Sequence, residues 1–267
     1  MTEKTLRNYL PLVLLVVGGL FIGGFGTYFL SQRNPANISG GPEAQAQSAA
    51  ALAGMSSEDR KATEAVVRAY ILENPEIITE AVAILQSREM AKRVTKIGPS
   101  VSTPFAGDVA GNPSGNVTII EFTDYNCGFC RATVADVTKL LGADKNIKLI
   151  YRELPILAPS SKEAALWALA AAKQGKHDEF HRAMFATGKP ETATIRKVAA
   201  SIGLDMAAAE AFAGSNEASA EIQNNLKMAQ QIGFNGTPTF IIGTQVLEGA
   251  QGYDLLQKAV DKARKES

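Results

Sequence analysis

Cysteine and histidine are scarce in this chain, because its 267 residues include only two of each. A structural zinc site needs four such ligands at suitable spacing, and the two histidines lie far from the cysteines, so the composition argues against structural zinc. An excess of charge of either sign is also missing: 27 lysines and arginines balance 27 aspartates and glutamates, and no basic block occurs. This balance argues against nucleic acid as a partner.

The two cysteines stand together as Cys127-Gly128-Phe129-Cys130, after an apolar strand-like run and before a helical pattern. A thiolate at a helix N-terminus interacts with unpaired N–H groups and with the positive end of the helix dipole, which lower its pKa and favour nucleophilic attack. Cys130 can then resolve the mixed disulfide that Cys127 forms. With no third cysteine, the pair is either a redox couple or half of a metal site.

The N-terminus predicts a membrane-targeting segment. Lys4 and Arg7 lie in a short cytoplasmic tail of residues 1–9, and the apolar residues 10–30 would span about 31 Å as a helix, enough to cross a bilayer. Since this run is longer than the usual core of a signal peptide, we favour an uncleaved inner-membrane anchor, with the catalytic part in the periplasm. Cleavage near Ala44-Gln45-Ala46, which would leave a soluble periplasmic protein, is the alternative.

Two further segments precede the main domain. Residues 31–56 are rich in Asn, Gly, Pro, Gln, Ser and Ala and predict a flexible linker. Residues 57–97 predict a helical pair, in which Ser56 or Ser57 caps the first helix and Asn74-Pro75 supplies the N-cap and first residue of the second. The apolar stripe of these helices has no core of its own, so it is expected either to dock on the main domain or to associate with another copy of the chain.

Residues 98–267 predict an α/β domain with a thioredoxin-like fold and an inserted helical domain over about residues 160–232. The order of elements is β-α-β, helical insert, β-β-α. The expected elements outside the insert are strand 117–122, helix 130–141, strand 147–151, strand 239–242, strand 245–247 and helix 253–264.

Two more features gain meaning from the cysteine pair. Thr237-Pro238 precedes the third strand and is either an ordinary strand-opening proline or a cis-proline loop that faces the cysteines, where the Thr237 backbone can bind an extended substrate; the shared β-α-β frame favours the second reading. Glu121 lies inside the first strand, six residues before Cys127. It is either solvated or buried beneath the cysteines, where a raised pKa would let it transfer the proton of thiol exchange.

Together these residues resemble the DsbA-like thiol-disulfide oxidoreductases over residues 98–267. The resemblance rests on Glu121-Phe122 before the cysteine pair, Tyr151-Arg152-Glu153-Leu154-Pro155, the helical insert and Gly236-Thr237-Pro238-Thr239-Phe240. It implies that Cys127 and Cys130 are catalytic, that Glu121 relays a proton and that Thr237-Pro238 contacts the substrate. We expect no cofactor and no bound metal.

Gly128-Phe129 stands where DsbA has Pro-His, so a histidine that helps to hold the DsbA thiolate is missing and we expect weaker stabilisation of the reduced form. This dipeptide and Thr237 are closer to the disulfide isomerase DsbC. Residues 70–78 resemble the N-terminal helices of the ScsC-like branch, which is associated with copper tolerance and, in some members, with trimers that shuffle disulfides. These likenesses favour a disulfide isomerase or reductase. A disulfide-introducing oxidase and a non-catalytic copper-binding protein are the alternatives.

The predicted function implies several partners. The substrates would be exported proteins with cysteines, and a membrane redox partner, either a DsbD-like reductase or a DsbB-like oxidase, would set the direction of exchange. Residues 10–30 would hold the chain in the inner membrane, and residues 57–97 would support a homo-oligomer. His177 and His181 are one helical turn apart, but they are a poor metal pair because no third ligand is evident.

Overall fold

The computed structural model of the protein describes residues 54–266. The predicted tail 1–9 and anchor 10–30 lie outside these residues, as does nearly all of the predicted linker 31–56. None of the helices within 54–266 combines the length and the apolar composition that a membrane span requires. The chain divides into two compact units, with the boundary after Pro75.

The first unit contains helix α1, Ser57–Glu73, none of whose residues is buried. Ser56 is its N-cap: the Ser56 hydroxyl accepts a hydrogen bond from the Asp59 amide, and the Asp59 carboxylate accepts one from the Ser56 amide. At the other end, the Asn74 side-chain amide donates to the Tyr70 carbonyl at 2.9 Å. The prediction that Asn74 caps the following helix is therefore wrong, because Asn74 closes α1 instead.

The second unit, from Glu76 onward, is an α/β domain. A short 3₁₀ helix, Gly98–Ser102, connects its first helix to its first strand. The elements in order are α2 (Glu76–Ile97), β1 (Val109–Gly111), β2 (Val117–Thr123), α3 (Gly128–Ala143), β3 (Ile147–Glu153), α4 (Pro159–Lys173), α5 (His177–Thr187), α6 (Thr192–Ser201), α7 (Met206–Ala213), α8 (Asn216–Ile232), β4 (Thr239–Ile242), β5 (Gln245–Glu248) and α9 (Tyr253–Glu266). The predicted order of elements is confirmed from β2 onward, with α4 to α8 as the helical insert, and β1 is an additional strand before β2.

A mixed five-stranded sheet organises this unit, in the order β1-β3-β2-β4-β5. β2 and β3 are parallel and are joined through α3, whereas the other neighbours are antiparallel. Six of the seven residues of β2 are buried, because helices cover both faces of the sheet. The sequence pattern does not predict β1, since its three residues are too few to show a strand period.

Alternate residues of β2 point to opposite faces of the sheet. On the odd-numbered face, Ile119 packs with Leu140 of α3 and Val260 of α9. On the even-numbered face, Phe122 packs with residues of α8 and with Val94 near the end of α2. Because α3 begins just after the carboxyl end of β2, an odd-numbered residue near that end lies beneath the first turn of α3.

The helical insert has a core that reaches the active-site turn. Nine of the fifteen residues of the alanine-rich helix α4 are buried, and its Trp167 belongs to a cluster with Phe180 and Met184 of α5. The same cluster includes Cys127 and Cys130. The insert therefore forms one wall around the cysteines, and the sheet forms another.

The loop from the insert back to the sheet starts at Gly233, which caps α8 with a φ of 101°. This left-handed conformation favours glycine and lets the chain turn sharply at the end of a helix. The turn directs residues 234–238 towards the end of β2, where β4 pairs antiparallel with it.

Candidate active site

The turn between β2 and α3 places Cys127 at a helix N-terminus. The Asp124 carboxylate accepts a hydrogen bond from the Asn126 amide at 2.8 Å, and the Cys127 amide donates to the Asp124 carbonyl at 2.9 Å. Cys127 itself is extended and is the N-cap of α3. The helix thus begins at Gly128, two residues earlier than predicted, so the Cys127 sulfur faces the unpaired amides of its first turn.

The Cys127 sulfur forms two hydrogen bonds. It accepts from the Cys130 amide at 3.4 Å, and as a thiol it donates to the Thr237 carbonyl at 3.1 Å. The neighbouring Cys130 thiol, followed by Thr237 and the backbone amides of Cys130 and Phe129, lowers the pKa of Cys127 from 9.0 to about 5. At neutral pH this cysteine is therefore a thiolate, which is both a nucleophile and a good leaving group.

Cys130 has the opposite environment. Its side chain is fully buried, and burial raises the pKa of its thiol, an effect that the Cys127 hydrogen bond and the Glu121 charge reinforce. Cys130 therefore keeps its proton in the resting reduced protein. The asymmetry fits attack at Cys127 and resolution by Cys130, which are the roles expected from the sequence.

The Thr237–Pro238 loop lies against Cys127, and its peptide bond is cis. The Thr239 hydroxyl donates to the Gly236 carbonyl at 2.8 Å. The amide of Gly249, the residue after β5, donates to the Pro238 carbonyl, so hydrogen bonds hold the loop at both ends. The Thr237 amide has no hydrogen-bond acceptor within residues 54–266. An extended substrate chain can therefore pair with it.

Glu121 lies on the odd-numbered face of β2, opposite Tyr151 of β3 and Phe240 of β4. Its side chain is 1% exposed, and its Oε1 atom has no hydrogen-bond partner in the described part of the chain. Burial, assisted by the charge of Glu153, raises the pKa of Glu121 from 4.5 to about 8. Of the two positions open from the sequence, the structure places Glu121 in the buried one, near Cys130.

Gly128 and Phe129 occupy the first turn of α3, and both are exposed. The Phe129 side chain is 68% exposed and carries no hydrogen-bond donor. The cysteine pair therefore receives only a backbone amide from this residue.

Asp124 is a residue of the site that sequence reasoning misses. Besides holding the cysteine turn, its carboxylate accepts hydrogen bonds from the Ile156 and Leu157 amides at 2.9 and 3.0 Å. It therefore ties the loop after β3 to the active-site turn. An acid placed directly between a buried strand and the cysteines is the signal that could have identified it.

A second group missed by sequence reasoning lies on the odd-numbered face of the sheet. Glu153, at the end of β3, accepts from the Tyr125 hydroxyl at 3.2 Å and lies 2.9 Å from His177 Nε2. His181 is buried too, with its ring centroid 4.4 Å from that of Tyr151. Both histidines therefore belong to the core, and no group of three or more potential metal ligands occurs in residues 54–266.

A groove of about 1020 Å³ borders the loops around the site. Phe234, three residues before Thr237, is buried in its floor, whereas Ile156 and Leu157 are 39% and 54% exposed. These loops present apolar side chains that can contact an unfolded polypeptide. The groove therefore suits a peptide substrate better than a small polar one.

Comparison with known proteins agrees with this geometry. Residues 118–261 match the model of the DSBA-like thioredoxin domain, and residues 59–92 match that of the copper resistance protein ScsC N-terminal domain. The crystal structure of a thioredoxin-like oxidoreductase from Silicibacter pomeroyi DSS-3 is 41% identical, with a TM-score of 0.61, over 64% of this chain and 99% of that one.

Two more distant likenesses complete the comparison. A linker-deletion mutant of ScsC from Proteus mirabilis is 23% identical, with a TM-score of 0.62, over 80% of this chain and 98% of that one, which shows the fold alone. The Na(+)/H(+) antiporter NhaA 1 of Salinispora arenicola is 28% identical over 163 residues, 60% of this chain. The chain spans about a quarter of the length of the curated relatives that it matches. Since the DSBA-like match covers more than half of the chain and includes the cysteine pair, the protein belongs to the DsbA-like family of thiol-disulfide oxidoreductases.

Proposed function

We propose that the protein exchanges thiols and disulfides in exported proteins and acts mainly as a disulfide isomerase or reductase. The observation that carries this proposal is the 3.1 Å contact between the Cys127 sulfur and the Thr237 carbonyl, beside a cis-proline. A substrate sulfur joined to Cys127 would lie against the same loop. The Thr237 amide would then pair with the substrate backbone.

The chemistry follows from the asymmetry of the two thiols. The Cys127 thiolate attacks a substrate disulfide, a mixed disulfide forms, and one substrate sulfur leaves with the electron pair. Cys130 then attacks Cys127 and releases the second substrate sulfur. Alternatively, a different substrate thiolate attacks the substrate sulfur of the mixed disulfide, which forms a new substrate disulfide and releases the Cys127 thiolate. Glu121 exchanges the proton that Cys130 loses or gains, because it is the buried carboxyl whose charge acts on Cys130.

The direction rests on three features. Phe129 offers no side-chain donor to the thiolate, Thr237 precedes the cis-proline, and residues 59–92 match the ScsC N-terminal domain. Both N-terminal helices carry exposed apolar side chains, which favour self-association through residues 57–97: Val66, Val67, Tyr70 and Leu72 in α1, and Ile77, Ile78, Val82, Ile84 and Leu85 in α2. An oligomer would present several cysteine pairs to one substrate and so raise their effective concentration.

A disulfide-introducing oxidase is the second candidate, because the pKa of Cys127 is lowered to about 5. A stable thiolate favours the reduced form and makes the disulfide a stronger oxidant. The missing histidine at position 129 opposes this effect. The redox partner would decide between the two, since exchange at Cys127 is reversible.

The location is part of the proposal. Residues 10–30 would anchor the chain in the inner membrane, with the catalytic domain in the periplasm, where a DsbD-like reductase or a DsbB-like oxidase could reach it. Signal cleavage and a soluble periplasmic protein remain the alternative. Fractionation of cells that express the full chain distinguishes the two.

Acid quenching and alkylation of the full-length protein in its host cells test the direction. An isomerase or reductase should be trapped with Cys127 and Cys130 mostly reduced, and a mostly oxidised pair would contradict the proposal. A second assay compares refolding of scrambled ribonuclease by the full chain and by a chain that lacks residues 57–73. Loss of isomerisation with unchanged insulin reduction is expected, since the deletion removes α1 but no residue of the cysteine site.

A further inference from the structure

The odd-numbered face of the sheet carries a set of buried titratable groups of which the proposed mechanism uses only Glu121. Each has at most 3% of its side chain exposed, and together they are Asp108, Glu121, Tyr125, Tyr151, Glu153, His177 and His181. Three of them are carboxyls. Burying three carboxylates side by side is costly, so they cannot all be ionised in the folded protein.

Glu121 and Glu153 share this face because of the strand register. β2 and β3 are parallel, with Glu121 opposite Tyr151 and Thr123 opposite Glu153. Glu121 and Thr123 are two residues apart on one strand, so they point to the same side, and their partners on β3 do so as well. The two glutamates are thus diagonal neighbours across adjacent strands, with no water-exposed surface between them.

The two carboxyls differ in their hydrogen bonds. Glu153 Oε1 accepts from the Tyr125 hydroxyl at 3.2 Å and lies 2.9 Å from His177 Nε2, although Glu153 Oε2 has no partner within residues 54–266. Glu121 Oε1 has no partner in the described part of the chain, and neither oxygen of Glu121 has a hydrogen bond there comparable to those of Glu153 Oε1. Hydrogen bonds from donors stabilise a carboxylate over the neutral acid. Burial raises the pKa of both carboxyls well above the ordinary value, but only in Glu153 does a hydrogen bond, from Tyr125, oppose that rise. Of the two glutamates, Glu153 is therefore the one better equipped to carry the negative charge, and Glu121 is the one that keeps the proton.

The proton on Glu121 can neutralise the thiolate that exchange produces at Cys130. When an external thiolate attacks Cys127 in the oxidised protein, a new disulfide forms between the two sulfurs and the Cys127–Cys130 bond breaks. The electron pair of the broken bond stays on Cys130, in a buried site that disfavours a thiolate. A proton transferred from Glu121 to the Cys130 sulfur completes the step, in which the protein disulfide is reduced and the external thiol is oxidised.

We infer that Glu153 is a positioning residue for this reaction. Glu153 and Glu121 form a pair of carboxyls in which Glu153 is the ionised member, stabilised by its contacts with Tyr125 and His177. Glu121 consequently keeps the proton that Cys130 needs. The inference rests on the proposed role of Glu121 and adds the group that sets its protonation. It also gives a role to His177, whose Nε2 lies 2.9 Å from Glu153 Oε1.

Other ionisable groups act on this pair, and a pH profile must allow for them. Asp124 faces Glu153 from the active-site turn, Cys130 faces Glu121 from α3, and Asp178 faces His177 from α5. The charges of Arg152 of β3 and Glu221 of α8 act on Asp108. The charge of Arg182 of α5 acts on Tyr151 and His181. The variants below leave Asp124, Cys130, Asp178, Arg152, Glu221 and Arg182 unaltered.

The test is the pH dependence of the rate at which dithiothreitol reduces the oxidised full-length protein, divided by the thiolate fraction of the reagent. In the unmodified protein this rate should fall as pH rises through about 8, where Glu121 loses its proton. Glu153→Gln removes the neighbouring charge and should move the fall to lower pH by about one unit, which lowers the rate at pH 8 roughly fivefold. Tyr125→Phe removes one hydrogen-bond donor to Glu153. It should also shift the fall of the rate to lower pH, but by a smaller amount than Glu153→Gln.

Tyr151→Phe is the matched control, since its hydroxyl donates to Asp178 at 2.8 Å and not to Glu153. It should leave the position of the fall unchanged. A rate change in Glu153→Gln that is equal at every pH would indicate a structural defect alone and would overturn the inference. Glu121→Gln distinguishes the proposed role of Glu121 from the inference about Glu153. If the rate still falls with pH in Glu121→Gln, the proposed role of Glu121 is wrong. If the fall disappears in Glu121→Gln but keeps its position in Glu153→Gln, only the inference about Glu153 is rejected.

A measurement on the unmodified protein covers the case in which the variants do not fold. ¹³C NMR of the glutamate carboxyls during a pH titration should show two coupled buried groups, one of which ionises in a second step at higher pH. Two independent single-step curves would overturn the inference.

Discussion

Replacement of Glu121 by glutamine should stabilise the reduced protein, and the gain should depend on pH. In the unfolded chain this carboxyl ionises near its ordinary pKa of 4.5, whereas burial and the Glu153 charge raise its pKa in the folded protein to about 8. Between these values the unfolded state binds fewer protons than the folded state, so the native protein loses stability as pH rises from 4.5 to 8. Glutamine does not titrate and avoids this loss.

The size of the effect follows from the two pKa values. Each pH unit between them is worth about 1.4 kcal/mol, so Glu121→Gln should be about 3 kcal/mol more stable than the unmodified protein at pH 7 and about 5 kcal/mol above pH 8. Near pH 4 the carboxyl is neutral in both states, and the two proteins should be about equally stable. These figures assume that the glutamine amide fits the site of the neutral acid, where Oε1 already lacks a partner.

Urea unfolding of the reduced proteins at pH 4, 7 and 9, followed by circular dichroism, measures the difference. Glu248→Gln, which removes an exposed carboxyl of β5, is the control and should show no comparable growth of stability with pH. A difference between Glu121→Gln and the unmodified protein that stays constant from pH 4 to pH 9 would refute the reasoning. It would mean that the carboxyl is not buried in its neutral form.

Three further outcomes are expected. Thiolate absorbance of the reduced protein should rise through about pH 5 because the pKa of Cys127 is lowered, and a midpoint near 9 would contradict the hydrogen bonds assigned to it. Cys130→Ser should accumulate mixed disulfides between Cys127 and substrate proteins on non-reducing gels, whereas Cys127→Ser should trap none. Phe122→Ala should destabilise the protein by about 3–5 kcal/mol in urea unfolding, since Phe122 is fully buried and its ring lies 4.8 Å from that of Phe234; a loss below about 1 kcal/mol would contradict that packing.

Much of the fold was accessible from local pattern. The runs that became β2, β3 and β4 are apolar and bounded by turns, and the alanine-rich insert shows helical spacing throughout. The errors fall where local signals compete. Asn74 before Pro75 reads as an N-cap, but its side chain satisfies the Tyr70 carbonyl at the end of α1. β1 pairs only because β3 supplies an edge next to it.

The active site also has parts that could be predicted from local sequence and parts that could not. Cys127, Cys130 and Glu121 are close in sequence, and the alternation of β2 limits Glu121 to one of two faces. The strand itself does not reveal that helices cover both faces, with α3 and α9 on the face that carries Glu121. The partners of Glu153 could not be predicted, because Tyr125 lies 28 residues and His177 24 residues away in the sequence.

The sequence by itself determined the chemistry: two cysteines three residues apart at the start of a helix provide a nucleophile and a resolving thiol through backbone effects that act within one helical turn. Only the tertiary structure decided how that chemistry is controlled. It brought the Thr237 carbonyl, 110 residues away, to the Cys127 sulfur, and it buried Glu121 and Glu153 on one face with unequal hydrogen bonds. Burial and long-range contacts set protonation, and neither is visible in the order of residues along the chain.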